Sequence, residues 1–166
     1  MDRLDRSRDA AYTELFEREY TRLVAALGLA FGDVDVAADA VQDAFVQAHR
    51  HWKRVRGYDD PAAWLRRVAT NRMRNALRGR RRQAAALPRL WYPESTDLPV
   101  LGGEVAKLVR SLPPGQRVAI CLYYVADLSV REVAAALAVS EGTVKSQLHD
   151  ARRALRADME VVDERD

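Results

Sequence analysis

Arg67, Asn71, Arg74 and Arg78 recur at spacings of three and four, and on a helix such a set lies within about 60° of one stripe. Guanidiniums and an amide donate hydrogen bonds; they suit phosphate oxygens and base edges rather than bond-making chemistry. Just before them the stretch VRGYDDPAAW (55–64) places Tyr58 between Gly57 and Asp59, with Trp52 and Trp64 on either side. These are the ingredients of a site where a base stacks or is held outside a duplex. Trp52 continues an apolar stripe and is expected in the core, which leaves Tyr58 as the aromatic expected at the surface.

A second constellation lies in SVREVAAALAVSEGTVKSQLHDARRAL (129–155). Val144, Leu148, Ala151 and Leu155 share one helical face, so Ser146, His149, Asp150 and Arg153 face outward. Ser129 and Glu132 form an S-x-x-E capping box that starts one helix, and Ser140 caps the next from about Glu141. Helix 129–137, turn 138–140 and helix 141–158 have the lengths of a helix-turn-helix, whose second helix enters the major groove by its first turns. Ser140, Thr143, Lys145, Ser146, Gln147 and His149 are then the residues nearest DNA, with donors for backbone or base edges. Enzyme chemistry is not expected. His49 and His51 are two apart and cannot share a helix face, His149 is isolated, and no nucleophile–base pattern, phosphate loop, metal or cofactor motif is present.

The elements that must carry these residues are helices, because helical periodicity dominates and no stretch alternates as a half-buried strand would. The expected fold class is all-α: two small helical domains, 9–82 and 104–159, joined by a flexible linker at 83–103. A first helix is expected from Asp9 to Leu27, ending near Gly28 and Gly32. A second runs from Asp35 to His51, with Ala37, Val41, Ala44, Phe45, Ala48 and Trp52 inward. Asp60-Pro61 supplies an N-cap and a first-turn proline for a third, running to about Arg80 with Leu65, Ala69, Met73 and Ala76 inward. The linker QAAALPRLWYPESTDLPVLGG holds three prolines and no sustained period. After it come helices at 104–111 and 116–125, then the helix-turn-helix.

Charge is distributed unevenly. Residues 1–49 carry 5 Arg against 10 acids, residues 50–82 carry 12 Lys/Arg against 2 Asp, and residues 83–166 carry 10 cations against 12 acids. The central block of +10 points to a polyanion, and the acidic first third must face something else. The start, MDRLDRSRDA, has no apolar h-region and no apolar run is long enough to span a bilayer, so a cytoplasmic protein without membrane insertion is expected. Cys121, the sole cysteine, lies in an apolar stretch and is expected to be a packed thiol.

In this order the motifs resemble the extracytoplasmic-function (ECF) group of bacterial sigma factors. ADAVQDAFVQAHRHW (38–52) is similar to the region 2.2 helix, DDPAAWLRRVATNRMRNALRGRRR (59–82) to regions 2.3 and 2.4, and residues 112–155 to region 4. The resemblance implies a factor that binds core RNA polymerase and directs it to promoter DNA. It implies that Asp39, Gln42, Asp43 and Val46 dock on the polymerase clamp helices. Gly57, Tyr58, Asp59, Arg67, Asn71, Arg74 and Arg78 would then melt and read the minus-10 element, and Ser140, Thr143, Lys145, Ser146, Gln147 and His149 would contact the minus-35 element. Family members often have an anti-sigma partner. Two positions depart from the pattern: Gln147 and Asp150 stand where the family commonly has arginine. For Asp150, pairing with Arg153 is favoured over acceptance from a cytosine.

Two other readings compete. A dimeric operator-binding helix-turn-helix regulator with a helical sensor domain would bind DNA without polymerase. A helical protein-interaction module would leave the basic block unexplained.

Overall fold

The computed structural model describes residues 3–86 and 103–163, and every regular element among them is a helix. In chain order these are α1 (Arg3–Phe31), α2 (Val34–Arg50), α3 (Trp52–Val55), α4 (Pro61–Ala86), α5 (Gly103–Ser111), α6 (Pro114–Tyr124), α7 (Val130–Leu137) and α8 (Glu141–Asp163). Of the expected linker, 83–86 continue α4 and Gly103 opens α5; residues 87–102 lie outside the described residues.

Several helix ends follow the local chemistry already named. Asp60 accepts from the Ala63 amide at 3.0 Å, and the Ser129–Glu132 box is complete in both directions at 2.8 and 3.2 Å. Ser140 accepts from the Thr143 amide at 3.0 Å and starts α8. Between α7 and α8 the chain turns at Ala138, which sits in the left-handed region at φ 56°. α1 differs from expectation: it runs through Gly28 and stops where Gly32 takes φ +75°. Gly28 serves packing instead, since a Cβ there would stand 3.2 Å from the Val34 backbone, where α1 and α2 approach each other. Trp52 also departs from the sequence reading, because it opens the short α3 rather than ending α2. It is half-buried, with its ring edge-on to Tyr12 at 5.4 Å.

The inward stripe of α2, from Ala37 through Val41, Ala44 and Phe45 to Ala48, is buried as its period requires. It packs between α1 and α4, where Leu23, Leu27, Leu65 and Met73 are fully enclosed. Leu122, Val133, Val144 and Leu148 form the corresponding centre among α6, α7 and α8. The two halves are not separate. α6 packs on α1 and α7 packs on α4, so the buried apolar side chains form one continuous cluster. Cys121 lies inside it, and burial pushes its thiol up to about 12 despite the opposing charge of Arg117. It stays protonated and inert at neutral pH.

Candidate nucleic-acid interface

α4 is amphipathic because Leu65, Ala69 and Met73 must face α2, and the same register turns Arg67, Asn71 and Arg78 to the surface. Arg74 is only half-exposed. Burial lowers its guanidinium from the ordinary value and the neighbouring Arg78 charge lowers it further, the mark of cations crowded on one face. Ala76, expected inward, is exposed, and Leu77 is half-buried in its place. At 100° per residue Ala76 lies only about 20° from Leu65, so the helical period alone favours it; the exchange follows instead from how α4 packs on its neighbours.

The loop ahead of α4 presents Gly57 and Asp59 to solvent, whereas Tyr58, expected at the surface, is half-buried. Its ring is tilted 46° against Trp64, with centroids 6.4 Å apart. Trp64, which lies one turn before Arg67 on α4, thus has an aromatic partner in the loop.

On α2, Asp39, Gln42, Asp43 and Val46 are all exposed, Val46 to 42%. Sequence reasoning missed the group behind them. Arg72 of α4 donates to Asp43 at 3.2 Å and to Gln47 at 2.9 Å, tying the acidic face to the basic helix. Nearby, Arg80 reaches Asp33 at 2.6 Å, while the other oxygen of Asp33 caps α2 by accepting from the Val36 amide.

At the start of α8, Ser140, Thr143, Lys145, Ser146 and His149 are exposed, with the Ser140 and Thr143 hydroxyls 2.9 Å apart. Gln147 is different. It is half-buried against the start of α6, its Oε1 is buried without a hydrogen-bond partner, and a Cβ added at Gly115 would meet its Nε2 at 2.7 Å. Asp150 is half-buried, with Arg153 at 3.9 Å, the i,i+3 pairing favoured from sequence. One turn on, Arg152 donates to the Tyr124 hydroxyl at 2.9 Å and lies 5.5 Å from the ring centroids of both Tyr123 and Tyr124.

A buried ionic node was also missed. Arg66 is 5% exposed and Glu19 is 3% exposed. Arg66 donates twice to Glu19, at 2.8 and 2.6 Å, and once to Glu132 of α7 at 3.0 Å. Burial opposes the charge on Arg66, but the hydrogen-bonded Glu19 and the field of both carboxylates outweigh it and hold the guanidinium above its ordinary value. For Glu132, burial is outweighed by the Ser129 bonds and by Arg66, and its carboxyl is held below the usual range. The signal in the sequence was faint. Arg66 lies four residues from both Ala62 and Thr70, on the shoulder of the inward stripe, whereas its neighbour Arg67 faces out.

The arrangement offers donors, cations and one aromatic edge, but no catalytic constellation among the described residues. Likewise, no group of acidic, histidine or cysteine side chains there could hold a metal ion, and no helix there is long and apolar enough to cross a membrane.

The chain is similar to known proteins in two stretches. Residues 15–83 match the family described as sigma-70 region 2, and residues 103–155 match sigma-70, region 4. The ECF RNA polymerase sigma-E factor of Escherichia coli is 31% identical over 172 aligned positions, covering 93% of this chain and 90% of that one. The ECF RNA polymerase sigma factor SigM of Mycobacterium tuberculosis is 30% identical, covering 87% and 75%. Among solved structures, CnrH in complex with the cytosolic domain of CnrY matches with a TM-score of 0.63 at 29% identity, covering 92% of this chain and 90% of that one. The sigma factor RpoE in complex with the anti-sigma factor NepR from Bartonella quintana has the same fold, with a TM-score of 0.72 at 22% identity over 91% and 98%.

Proposed function

Because this chain belongs to the ECF group of sigma-70-family factors, which bind core RNA polymerase and direct it to promoters, we propose how its own residues divide that work. Residues 9–82 dock on the polymerase and open the minus-10 element, and residues 104–159 hold the minus-35 element as duplex. The observation that carries this reading is the separation of faces. Acidic and apolar side chains (Asp39, Gln42, Asp43, Val46) are exposed on α2, while cations and an amide (Arg67, Asn71, Arg78) are exposed on α4 of the same small domain. One face suits a basic or apolar protein partner and the other a nucleic acid.

At the minus-10 surface Arg67, Arg74 and Arg78 hold phosphates, and Asn71 offers an amide to a base edge. Gly57 and Asp59 shape the loop that presents Tyr58, on which an unstacked base can rest. At the minus-35 surface the exposed start of α8 puts Lys145, Ser146 and His149 toward the groove, with Ser140 and Thr143 at the phosphate. Gln147 contributes more by packing on the start of α6 than by reaching a base. The factor acts in the cytoplasm, without catalysis of its own. An anti-sigma partner is a further part of this reading, supported by the NepR complex in which one similar fold was solved. Run-off transcription with purified core polymerase tests the whole proposal. Promoter-dependent transcripts support it, and tight operator binding by a dimer without polymerase would instead establish a free-standing regulator.

Tyr58→Ala and Asn71→Ala are expected to impair promoter opening more than initial duplex binding, because a stacked base is worth about 1–3 kcal/mol by alanine substitution. Permanganate reactivity of the bubble checks this; normal opening by both variants would remove these two residues from the minus-10 surface.

Lys145→Ala is expected to weaken holoenzyme binding at the minus-35 element and, for a phosphate contact, to reduce the salt slope by about one unit. Asp150→Arg releases the Arg153 pair and adds a cation, so it is expected to tighten binding to many minus-35 sequences with a steeper salt dependence. Binding across a minus-35 library at two salt concentrations checks both variants. Loss of preference at a single base pair in the Asp150 variant would show that the carboxylate reads a cytosine.

A further inference from the structure

Gly115 is the second residue of α6, and nothing in its own backbone asks for glycine. Its φ lies outside the left-handed region, and a glycine in a helical turn gives up backbone entropy that alanine keeps. Its neighbour supplies the reason. A Cβ at 115 would stand 2.7 Å from Nε2 and 3.6 Å from Cδ of Gln147, and outside its own stretch of helix it would meet nothing else described within 4 Å. The space left by the missing side chain is therefore the seat of the Gln147 amide. Gln147 reaches that seat from the first turns of α8, on the shoulder beside the buried Val144 and Leu148, one turn after Thr143 and one turn before Asp150. It is lightly held there, because its Oε1 is enclosed without a hydrogen-bond partner among the described residues.

We propose that, where α8 reads the minus-35 duplex as set out above, Gly115 is a specificity-determining position that touches no base. By leaving room on α6 it keeps a base-reading amide folded away from the groove, and the base pair nearest Gln147 goes unread. A side chain at 115 turns the amide out. The approach of 2.7 Å is too close for a carbon and a nitrogen, but the obstructing atom is the far end of a flexible side chain, so it is Gln147 that yields and not α6. The side of α8 left to it is the one that carries the exposed Thr143 and the half-buried Asp150. In the major groove a glutamine amide pairs in bidentate fashion with N6 and N7 of adenine, so adenine is the base it would select. Gly115 is a positioning residue for that contact.

Two measurements on the full chain test this. In the free protein, one Hα of Gly115 points along the line a Cβ would take, so a nuclear Overhauser contact to the Gln147 side-chain amide protons is expected in the wild type and is expected to be absent in Gly115→Ala. Selection from a library randomised through the minus-35 element, with the factor bound to core polymerase, is the second readout. Gly115→Ala is expected to gain a preference for adenine of about fivefold or more at one base pair, the lower end for a bidentate amide contact. Gln147→Ala alone is expected to keep the wild-type preferences, and Gly115→Ala/Gln147→Ala is expected to lose the new one.

Absence of the Gly115–Gln147 contact in the wild type, or wild-type preferences in a folded Gly115→Ala, would overturn the proposal. So would a changed preference in Gln147→Ala alone, because the amide would then already be reading a base. An equal loss of affinity for every sequence in Gly115→Ala would also overturn it, since the glycine would then be serving a close approach of backbone to phosphate. A wild-type holoenzyme that selects no minus-35 sequence would overturn the promoter reading and the specificity role together, while the nuclear Overhauser contact decides by itself whether Gly115 seats Gln147.

Discussion

Arg66→Ala is expected to lower the unfolding free energy by about 3 kcal/mol, near the lower end of what breaking a buried ion pair costs. The loss comes from what stays behind. Glu19, 3% exposed in the wild type, loses two hydrogen bonds, and its one other described charged partner is Arg18 at 3.2 Å, a side chain half in solvent. Glu132 loses its cross-domain partner as well. Urea denaturation measures the effect, and the double variant Arg66→Met/Glu19→Leu is the informative control. Two apolar side chains of similar length leave no uncompensated charge, so most of the stability is expected to return. A single-variant cost below about 1 kcal/mol would mean that the node is hydrated and behaves as a surface pair.

The double reversal Asp39→Arg/Asp43→Arg is expected to weaken core polymerase binding by about a hundredfold or more, since like charges brought together across an interface cost several kcal/mol. Asp43 needs a control of its own. It accepts from Arg72 at 3.2 Å, so an arginine at 43 would also repel α4. In the swap Asp43→Arg/Arg72→Asp the bridge between α2 and α4 is rebuilt while the outward charge at 43 stays reversed. Binding lost in the double reversal and in the swap, with circular dichroism unchanged, places the effect at the docking face. Full binding by the folded double reversal would remove the basis for that assignment.

The helices and their starts were largely legible because the signals are local. Asp60, Ser129 with Glu132, and Ser140 each act on an amide three residues away, and the α2 stripe repeats with the helical period. Errors came where the deciding contact lies on another element. Gly28 looked like a stop signal, and only the approach of Val34 shows why a glycine sits inside α1. Ala76 and Leu77 cannot be ranked without knowing where α2 lies. In Leu65-Arg66-Arg67 composition treats the two arginines alike, yet one is enclosed by a carboxylate 47 positions away and the other faces water. For the candidate surfaces, residue type and helical face could be read directly. The inward turn of Gln147 and the Tyr58–Trp64 contact depend on α6 and on loop geometry, which carry no periodic signal.

The same arginines bear on how fast the chain finds its DNA. Counted from composition, residues 50–82 form a block of +10, a field that would draw a polyanion from well beyond contact. Arg66, Arg72 and Arg80 are each matched at close range by Glu19 with Glu132, by Asp43 and by Asp33. At a distance the Arg72 and Arg80 pairs are dipoles, whose potential falls off faster than that of a lone charge, and the Arg66 node with its two carboxylates adds no positive charge. The part of the block left to steer an approaching duplex is therefore its cations outside these pairs: Arg67, Arg74 and Arg78 with the exposed Arg81 and Arg82 behind them on α4, and the exposed Arg50, Lys53, Arg54 and Arg56 ahead of it. Encounter rates should follow those cations: neutralising Arg78 slows association, whereas neutralising Arg72 and Asp43 together removes no net charge and leaves it nearly unchanged.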